Sequence, residues 1–428
     1  MRGMAMDRRF FLRGLGAAGC SAAAFPWLNT VTLAGSPSGA LGDHRMVVVI
    51  LRGAMDGLDV VQPLFDPGFA LARPTLGTGE GVFPLDGRFG LHARLGGLLP
   101  LWQAGELGFV HATSTPYRDK RSHFDGQDLL EAGLPHDIAA SGLTPADLAL
   151  VRREGWLNRM LQAVPGIEAQ ASIAVGREAL PLLAGRAPSL SWMPDQSLPL
   201  TAQGQLLLEH LYHDDPLFRD AAAEAMMLAA DSALDDMDDS AQDGIQAAIA
   251  PADPGVPIPP RLADIDRLVE FAAQRLRGES RIGAMSLGGW DSHRQQAGAL
   301  NAPLARLERI ILTMKAGLGP DVWGKTLFVA MTEFGRTVHE NGTRGTDHGT
   351  GGAMVLAGGA LRGGRVLGRW PGLAEADLYA RRDLMPTSDV RAWAAWAMRG
   401  MFGFDRAVLE GSVFPGLDMG NDDPRLLL

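Results

Sequence analysis

The sequence predicts an α/β domain built around a mostly parallel sheet, and three observations predict it. Residues 46–51 (MVVVIL) form an unbroken apolar run rich in β-branched side chains, as in a strand covered on both faces. Shorter apolar runs at 107–111, 281–287, 326–331 and, more weakly, 353–357 repeat the signal. Helical patterns lie between them, and alternation of strand and helix implies a parallel sheet carrying helices.

In chain order, the first forty residues are an address and not part of this fold. Asp7-Arg8-Arg9-Phe10-Phe11-Leu12-Arg13 has the form of a twin-arginine export signal, followed by a Gly/Ala-rich stretch over 14–28. That stretch is too short and too glycine-rich for a membrane span, so no stable membrane anchor is expected. Cleavage is expected after Ala40 or after Ala34. The reading implies the twin-arginine export machinery as a partner and a periplasmic or secreted location. Cys20 is the single cysteine and lies in this segment, so a mature chain of 41–428 carries no thiol. This excludes cysteine nucleophiles, Cys-rich zinc modules and intrachain disulfides.

Strand 46–51 opens the mature domain. A helix is expected over 95–104, a strand over 107–111 and a helix over 122–132. Residues 200–250 are Ala-rich, acidic and helical in pattern, and a Pro-rich break follows at 251–260; together they read as a helical cap inserted at about 200–260. Asp231, Asp235, Asp236, Asp238 and Asp239 lack the Gly turn and closing Glu of a calcium loop and read as a solvated face. His210 and His213 read as helix surface. A helix over 260–277, the strand 281–287, a helix over 304–318 and the strands 326–331 and 353–357 follow. Ser388 or Asp389 caps a last helix over 390–401.

Composition bounds the function. Hydrophobic residues are 46% and charged residues 21%, as in a globular protein, and the net charge of −10 argues against a nucleic-acid binder.

Ligands of open α/β sheets bind at the carboxyl ends of strands. Four strand ends here carry carboxylates, imidazoles or hydroxyls. Asp56 follows the first strand. Arg121-Ser122-His123 follows the second, after the hydroxyls Thr113, Ser114 and Thr115. Asp291-Ser292-His293 follows the third. Glu333, and then Asp347-His348 in a glycine-rich loop, follow the fourth. In an extended segment residues i and i+2 point the same way, so Asp291 and His293 can share one ion. Carboxylate oxygen with imidazole nitrogen suits zinc or manganese. Ser122, at the start of a helix, is either a nucleophile for a phosphate or sulfate ester, with Arg121 holding the anion, or simply an N-cap. His44, His92, His111, His136 and His339 have no second ligand nearby and read as structural. Ser286, in Ala284-Met285-Ser286-Leu287-Gly288, is near a nucleophile-elbow pattern and keeps a serine hydrolase as a further alternative, although Ala replaces the first Gly.

Asp56, Arg121-Ser122-His123, Gly289-Trp290-Asp291-Ser292-His293, Thr332-Glu333-Phe334-Gly335-Arg336 and Asp347-His348-Gly349 occur in this order behind a twin-arginine start. The set resembles a twin-arginine-exported bacterial family with a domain of unknown function, related to the sulfatases and the alkaline phosphatase superfamily. The resemblance covers about residues 45–420. It implies an alkaline-phosphatase-like three-layer sandwich, with helices on both faces of a mostly parallel sheet and an inserted cap. It also implies one or two divalent ions (zinc, manganese or calcium) and a hydroxyl nucleophile. By position, Asp56, Asp291, His293, Glu333, Asp347 and His348 correspond to metal ligands, and Ser122 with Arg121 to the catalytic pair. Two departures stand out. Phe334 occupies a place where the superfamily often has a ligating His, and Asp291 and His293 are two apart where four is usual. The implied function is an exported metal-dependent hydrolase of small anionic esters. The alternative is a non-catalytic exported binding or assembly protein on the same fold.

Overall fold

The structure is a computed structural model that describes residues 41–79, 81–118, 121–135, 151–176, 180–193 and 261–428, with backbone only for 261–264. The export signal, Cys20, His136, His210, His213, the aspartate cluster and the expected cap lie outside these residues.

The main sheet has nine strands: β1 (Arg45–Leu51), β2 (Leu107–Ser114), β3 (Ser172–Val175), β4 (Leu190–Trp192), β5 (Ile282–Leu287), β6 (Thr326–Thr332), β7 (Gly352–Ala357), β8 (Arg365–Leu367) and β9 (Ser388–Asp389). The order is β8-β2-β7-β6-β1-β5-β3-β4, with β9 also paired to β2. Every pairing is parallel except those of β7, which runs antiparallel to both β2 and β6. The fold is therefore mixed α/β with a mostly parallel central sheet.

Five helices of seven residues or more accompany the sheet among the described residues: α1 (His123–Ala132), α2 (Trp156–Gln162), α3 (Arg261–Arg277), α4 (Asn301–Trp323) and α5 (Val390–Phe402). β1 is buried along its whole length, and its alternate side chains serve two cores. Met46, Val48 and Ile50 pack with residues of α2 and α5. Val47, Val49 and Leu51 pack with residues of α3 and α4. Each such side chain contributes about 1.5–3 kcal/mol on full burial, which explains why this segment is continuously apolar. Among the described residues, no helix is long and apolar enough to cross a membrane.

The five expected strands form, and the differences have local causes. β2 continues through Ala112, Thr113 and Ser114, because β9 pairs with Thr113 and Ser114 and extends the ladder. The edge strands β3, β4, β8 and β9 are two to four residues long, too short to show a period. The helix expected at 95–104 is instead a 3₁₀ segment, Ala93–Leu98, followed by the short helix Leu99–Gln103. Gly96 and Gly97 weaken a regular helix, and Pro100 opens the second piece. Asp389, not Ser388, caps α5, its side chain accepting from Arg391 N.

The direction of β7 matters for function. Gly352 pairs opposite Thr113, so β7 begins where the parallel strands end, and a register shift marks that start. The loop entering β7 therefore meets the loops leaving β1, β5 and β6 at one edge of the sheet. That loop carries Asp347 and His348.

Candidate metal centre

Three imidazoles and one carboxylate converge at this edge. His123 is the first residue of α1, capped by Ser122, whose hydroxyl accepts from Asp125 N at 3.4 Å. Asp291 and His293 follow β5, and His348 precedes β7. Asp291 Oδ1 lies 3.5 Å from His123 Nε2, 3.0 Å from His293 Nε2 and 3.3 Å from His348 Nε2. His123, Asp291 and His348 each offer a ligand atom within 4.8 Å of the others. His293 Nε2 lies 2.9 Å from His348 Nε2.

The other ring nitrogens set the tautomers. His123 Nδ1 is 2.8 Å from Glu333 Oε1, His293 Nδ1 is 3.2 Å from Asp347 Oδ1, and His348 Nδ1 is 2.8 Å from the Arg121 carbonyl. Each partner accepts only, so each Nδ1 carries a proton and each ring turns its Nε2 toward Asp291. The 2.9 Å between His293 Nε2 and His348 Nε2 is bridged either by a proton on one ring or by a cation held by both. His123 Nε2 is buried and has no hydrogen-bond partner among the described residues. Metal-bound histidines are held in this way, with the second N–H given to a carboxylate or carbonyl.

The loops are gathered by Arg336, which is 1 % exposed. Its Nη2 donates to Gly53 O, Trp290 O and Asp291 Oδ1, its Nε to Ala54 O and its Nη1 to Thr346 O. Burial works to raise the Asp291 carboxyl, but Arg336, with His293 and His123, outweighs it and holds the pKa at about 2. Asp291 is thus ionised wherever the protein is folded. The Glu333 bond raises His123 above the ordinary imidazole range, against burial. Burial lowers His348.

Close packing requires glycine at two points. A Cβ on Gly345 would sit 2.3 Å from the His293 carbonyl, so the loop of Asp347 and His348 meets that of Asp291 and His293 backbone to backbone. A Cβ on Gly126 would sit 3.0 Å from the Phe334 ring. Phe334 stacks on His123 at 5.2 Å and 21°, and on Tyr117 at 5.9 Å and 19°. It cannot ligate, but it forms a flat floor that fixes the His123 ring.

Of the residues predicted from sequence, Asp291, His293 and His348 come together, with Asp347 behind His293. Glu333 stands behind His123. It is fully buried, and its Oε1 accepts from Gly53 N, Ala54 N and Gln127 Nε2 as well as His123. Asp56 does not join the group. Both its oxygens are taken by Arg73 at 2.6 and 3.0 Å, and Gln296 and Leu58 N bond it as well. Ser122 lies between Arg121 and His123, and its hydroxyl is the helix cap. Arg121 sits at φ +54, which turns its carbonyl onto His348, and its Nη2 lies 3.7 Å from Asp383 Oδ2. Thr115 donates to the Glu333 carbonyl, and Thr113 and Ser114 belong to β2. Ser286 lies inside β5, opposite Ile50, and not at a strand-to-helix turn.

His123 joins the candidate ligand group although a single imidazole beside the Ser122 hydroxyl carries no ligand spacing in the sequence. Arg336, Arg73 and Gln296 carry no ligand signal of their own.

Comparison with known families matches residues 132–406 to the family described as "Protein of unknown function (DUF1501)". The match includes Asp291, His293, Glu333, Asp347 and His348, and it stops short of residues 121–123. No curated protein matches the chain. Among solved structures, a protein in the alkaline phosphatase superfamily from Vibrio parahaemolyticus is similar over 83% of this chain and 69% of its own, at 11% identity and a TM-score of 0.33.

Proposed function

The chain belongs to the DUF1501 family, and from that premise we propose that it is an exported hydrolase of small phosphate or sulfate esters dependent on one divalent ion. His123, Asp291, His293 and His348 would hold that ion. Export through the twin-arginine route rests on Arg8 and Arg9, and the three-layer alkaline-phosphatase-like arrangement with a cap at 200–260 belongs to the same reading.

One observation carries it: three Nε2 atoms surround one carboxylate oxygen of Asp291, each ring anchored through Nδ1. A tetrahedral shell with bonds of about 2.0–2.2 Å separates neighbouring ligand atoms by roughly 3.3–3.6 Å. The separations of Asp291 Oδ1 from His123 Nε2 and His348 Nε2, 3.5 and 3.3 Å, are of that size, whereas His293 Nε2 lies closer, 3.0 Å from Asp291 Oδ1 and 2.9 Å from His348 Nε2. The donor set fits zinc or manganese better than calcium, which takes oxygen. Asp56 and Glu333 are saturated by protein donors, which supports one ion and not two.

When bound, a divalent ion polarises an ester oxygen and stabilises charge on the leaving group. The chain's own residues supply the rest. Arg121 is 40% exposed, and Arg382, which donates to the His348 carbonyl, is 32% exposed. Both guanidiniums lie at the Asp383 carboxylate, and each residue also bonds His348, Arg121 through its carbonyl and Arg382 through the His348 carbonyl; in this reading they bind and orient an anion. Ser122 supplies the hydroxyl in this reading, being one residue from Arg121 and one from His123.

The alternative, a non-catalytic binding or assembly protein, draws on the Ser122 cap: its hydroxyl accepts from Asp125 N and no base adjoins it by a hydrogen bond among the described residues. Two measurements on the mature protein decide. Metal content should be near one ion per chain and vanish in Asp291→Ala/His293→Ala. A panel of aryl and alkyl phosphate and sulfate esters should be hydrolysed, and Ser122→Ala should lose that turnover with metal retained. Bound metal without turnover, or no metal with reconstitution also failing, would sink the hydrolase and leave the binding protein.

A further inference from the structure

A second buried charge cluster lies beyond the imidazoles. Asp56 and Asp59 are 1 % and 3 % exposed, and Gln296 Nε2 bridges them, 2.6 Å from Asp56 Oδ2 and 2.9 Å from Asp59 Oδ2. One guanidinium serves the pair, and Arg73 spends it on Asp56. Among the described residues, no arginine or lysine reaches Asp59 within ion-pair distance; His92 Nε2 lies 4.0 Å from its Oδ1. Two buried carboxyl groups share one arginine, so an ionised Asp59 lacks a full counter-charge, an arrangement that burial makes costly.

Asp59 faces a cavity and not solid protein. The cavity is half open, has a volume of ≈ 210 Å³, and is lined also by Gln62, Leu76, Val82, His92 and Ala297. Gln62 is 3 % exposed, and its Oε1 is buried without a hydrogen-bond partner among the described residues. Its Nε2 leans on Asp59 Oδ1 at 3.4 Å. His92 Nδ1 accepts from Arg94 N at 3.1 Å, so the neutral ring carries its proton on Nε2. The polar side of the cavity therefore carries the Asp59 carboxyl and the Gln62 amide oxygen as acceptors, beside the His92 Nε2–H, with Thr75 and Thr78 also in the lining. The opposite walls, Leu76 and Val82, are apolar.

We propose that this cavity binds a small organic cation with N–H donors, a primary alkylammonium, its head at Asp59 and Gln62 Oε1 and its chain along Leu76 and Val82. The ammonium supplies the missing charge and a donor to the orphaned amide oxygen. An anion is excluded by Asp59, and a bare metal ion makes no use of the apolar walls. Burial, together with the Asp56 charge, pushes the Asp59 carboxyl up toward the neutral acid, and a bound ammonium would draw it back to the ionised form. The site is independent of the ion at His123.

The test is calorimetric titration of the full, metal-containing protein with butylammonium, and with tetramethylammonium as an equally charged ion without N–H. Butylammonium should bind saturably and at least tenfold more tightly. Ala297→Trp, at an exposed position on the cavity wall, and Gln62→Met, which removes the orphaned acceptor at similar volume, should each weaken binding at least tenfold. Gln62→Met should leave the melting temperature and metal content unchanged, so a loss of binding is not a loss of fold. Absence of saturable binding, equal binding of tetramethylammonium, or unaltered binding in both variants would overturn the proposal.

Discussion

His123 gives its Nδ1–H to Glu333 Oε1 at 2.8 Å and turns a buried, unpartnered Nε2 toward Asp291. The buried carboxylate orients the ring and raises its basicity; the exposed carboxylate shares its target. In the proposed centre Glu333 would act as a positioning residue. Glu333→Gln is expected to lower metal affinity about 10–100-fold with the fold kept, whereas His123→Ala removes a ligand outright and should cost more. Competition with a metal-indicating chelator measures both. Equal affinity in wild type and Glu333→Gln would show that the His123–Glu333 bond has no part in holding an ion.

Asp56 separates the expectation from sequence from the arrangement in the fold. Both its oxygens face Arg73, which is fully buried. Asp56→Asn should retain the metal while losing on the order of 3–5 kcal/mol of stability, because an unpaired guanidinium is left inside. Urea unfolding and metal analysis on one sample read both. Lost metal at unchanged stability would return Asp56 to the ligand set.

Gly345 marks where two ligand loops touch. An alanine there would place its Cβ 2.3 Å from the His293 carbonyl, and backbone, unlike a flexible side chain, must move as a unit. Gly345→Ala is expected to cost about 1–3 kcal/mol and to weaken metal binding, since His293 and His348 separate together. Gly342, with nothing within 4 Å of an added Cβ, is the control. If Gly342→Ala and Gly345→Ala behave alike, the contact is not tight.

His111 predicts a pH dependence. It is buried in β2, and its Nε2–H donates to the Val61 carbonyl while Nδ1 accepts from Ala112 N. Protonation at Nδ1 would set two N–H groups against each other. Burial pushes its pKa down to about 4 from an unfolded value of about 6.5. A depressed histidine contributes stability above the unfolded pKa and loses it as pH falls toward the folded one. The window is therefore pH 6.5 down to 4, and the loss about 3 kcal/mol. His111→Gln should be less stable at pH 7 but flatter across that window. Parallel stability curves for the two proteins would contradict this.

Much of the centre was legible before folding. Asp291-x-His293 shows two ligand types at extended spacing, and Asp347-His348 lies in a loop whose glycines permit close approach. His123 was not legible as a ligand, because a single imidazole beside a serine gives no spacing to read. Phe334 looked like a missing ligand and is a stacking surface. The strands were visible where they are central and buried on both faces, and invisible at the edge, where β9 has only two residues and forms because β2 is already there.

The sequence by itself determined the α/β class, the apolar runs that become β1, β2, β5, β6 and β7, and the set of loops where chemistry collects. Those are properties of short stretches, carried by period and residue type. The tertiary structure decided which of the candidates meet. The antiparallel entry of β7 delivers His348 to the ends of parallel strands, Arg73 draws Asp56 into a buried pair, and α1 swings His123 over Phe334. A carboxylate or imidazole has several equally good partners in solution. Only packing, which joins residues hundreds of positions apart and makes each buried charge find one partner, selects among them.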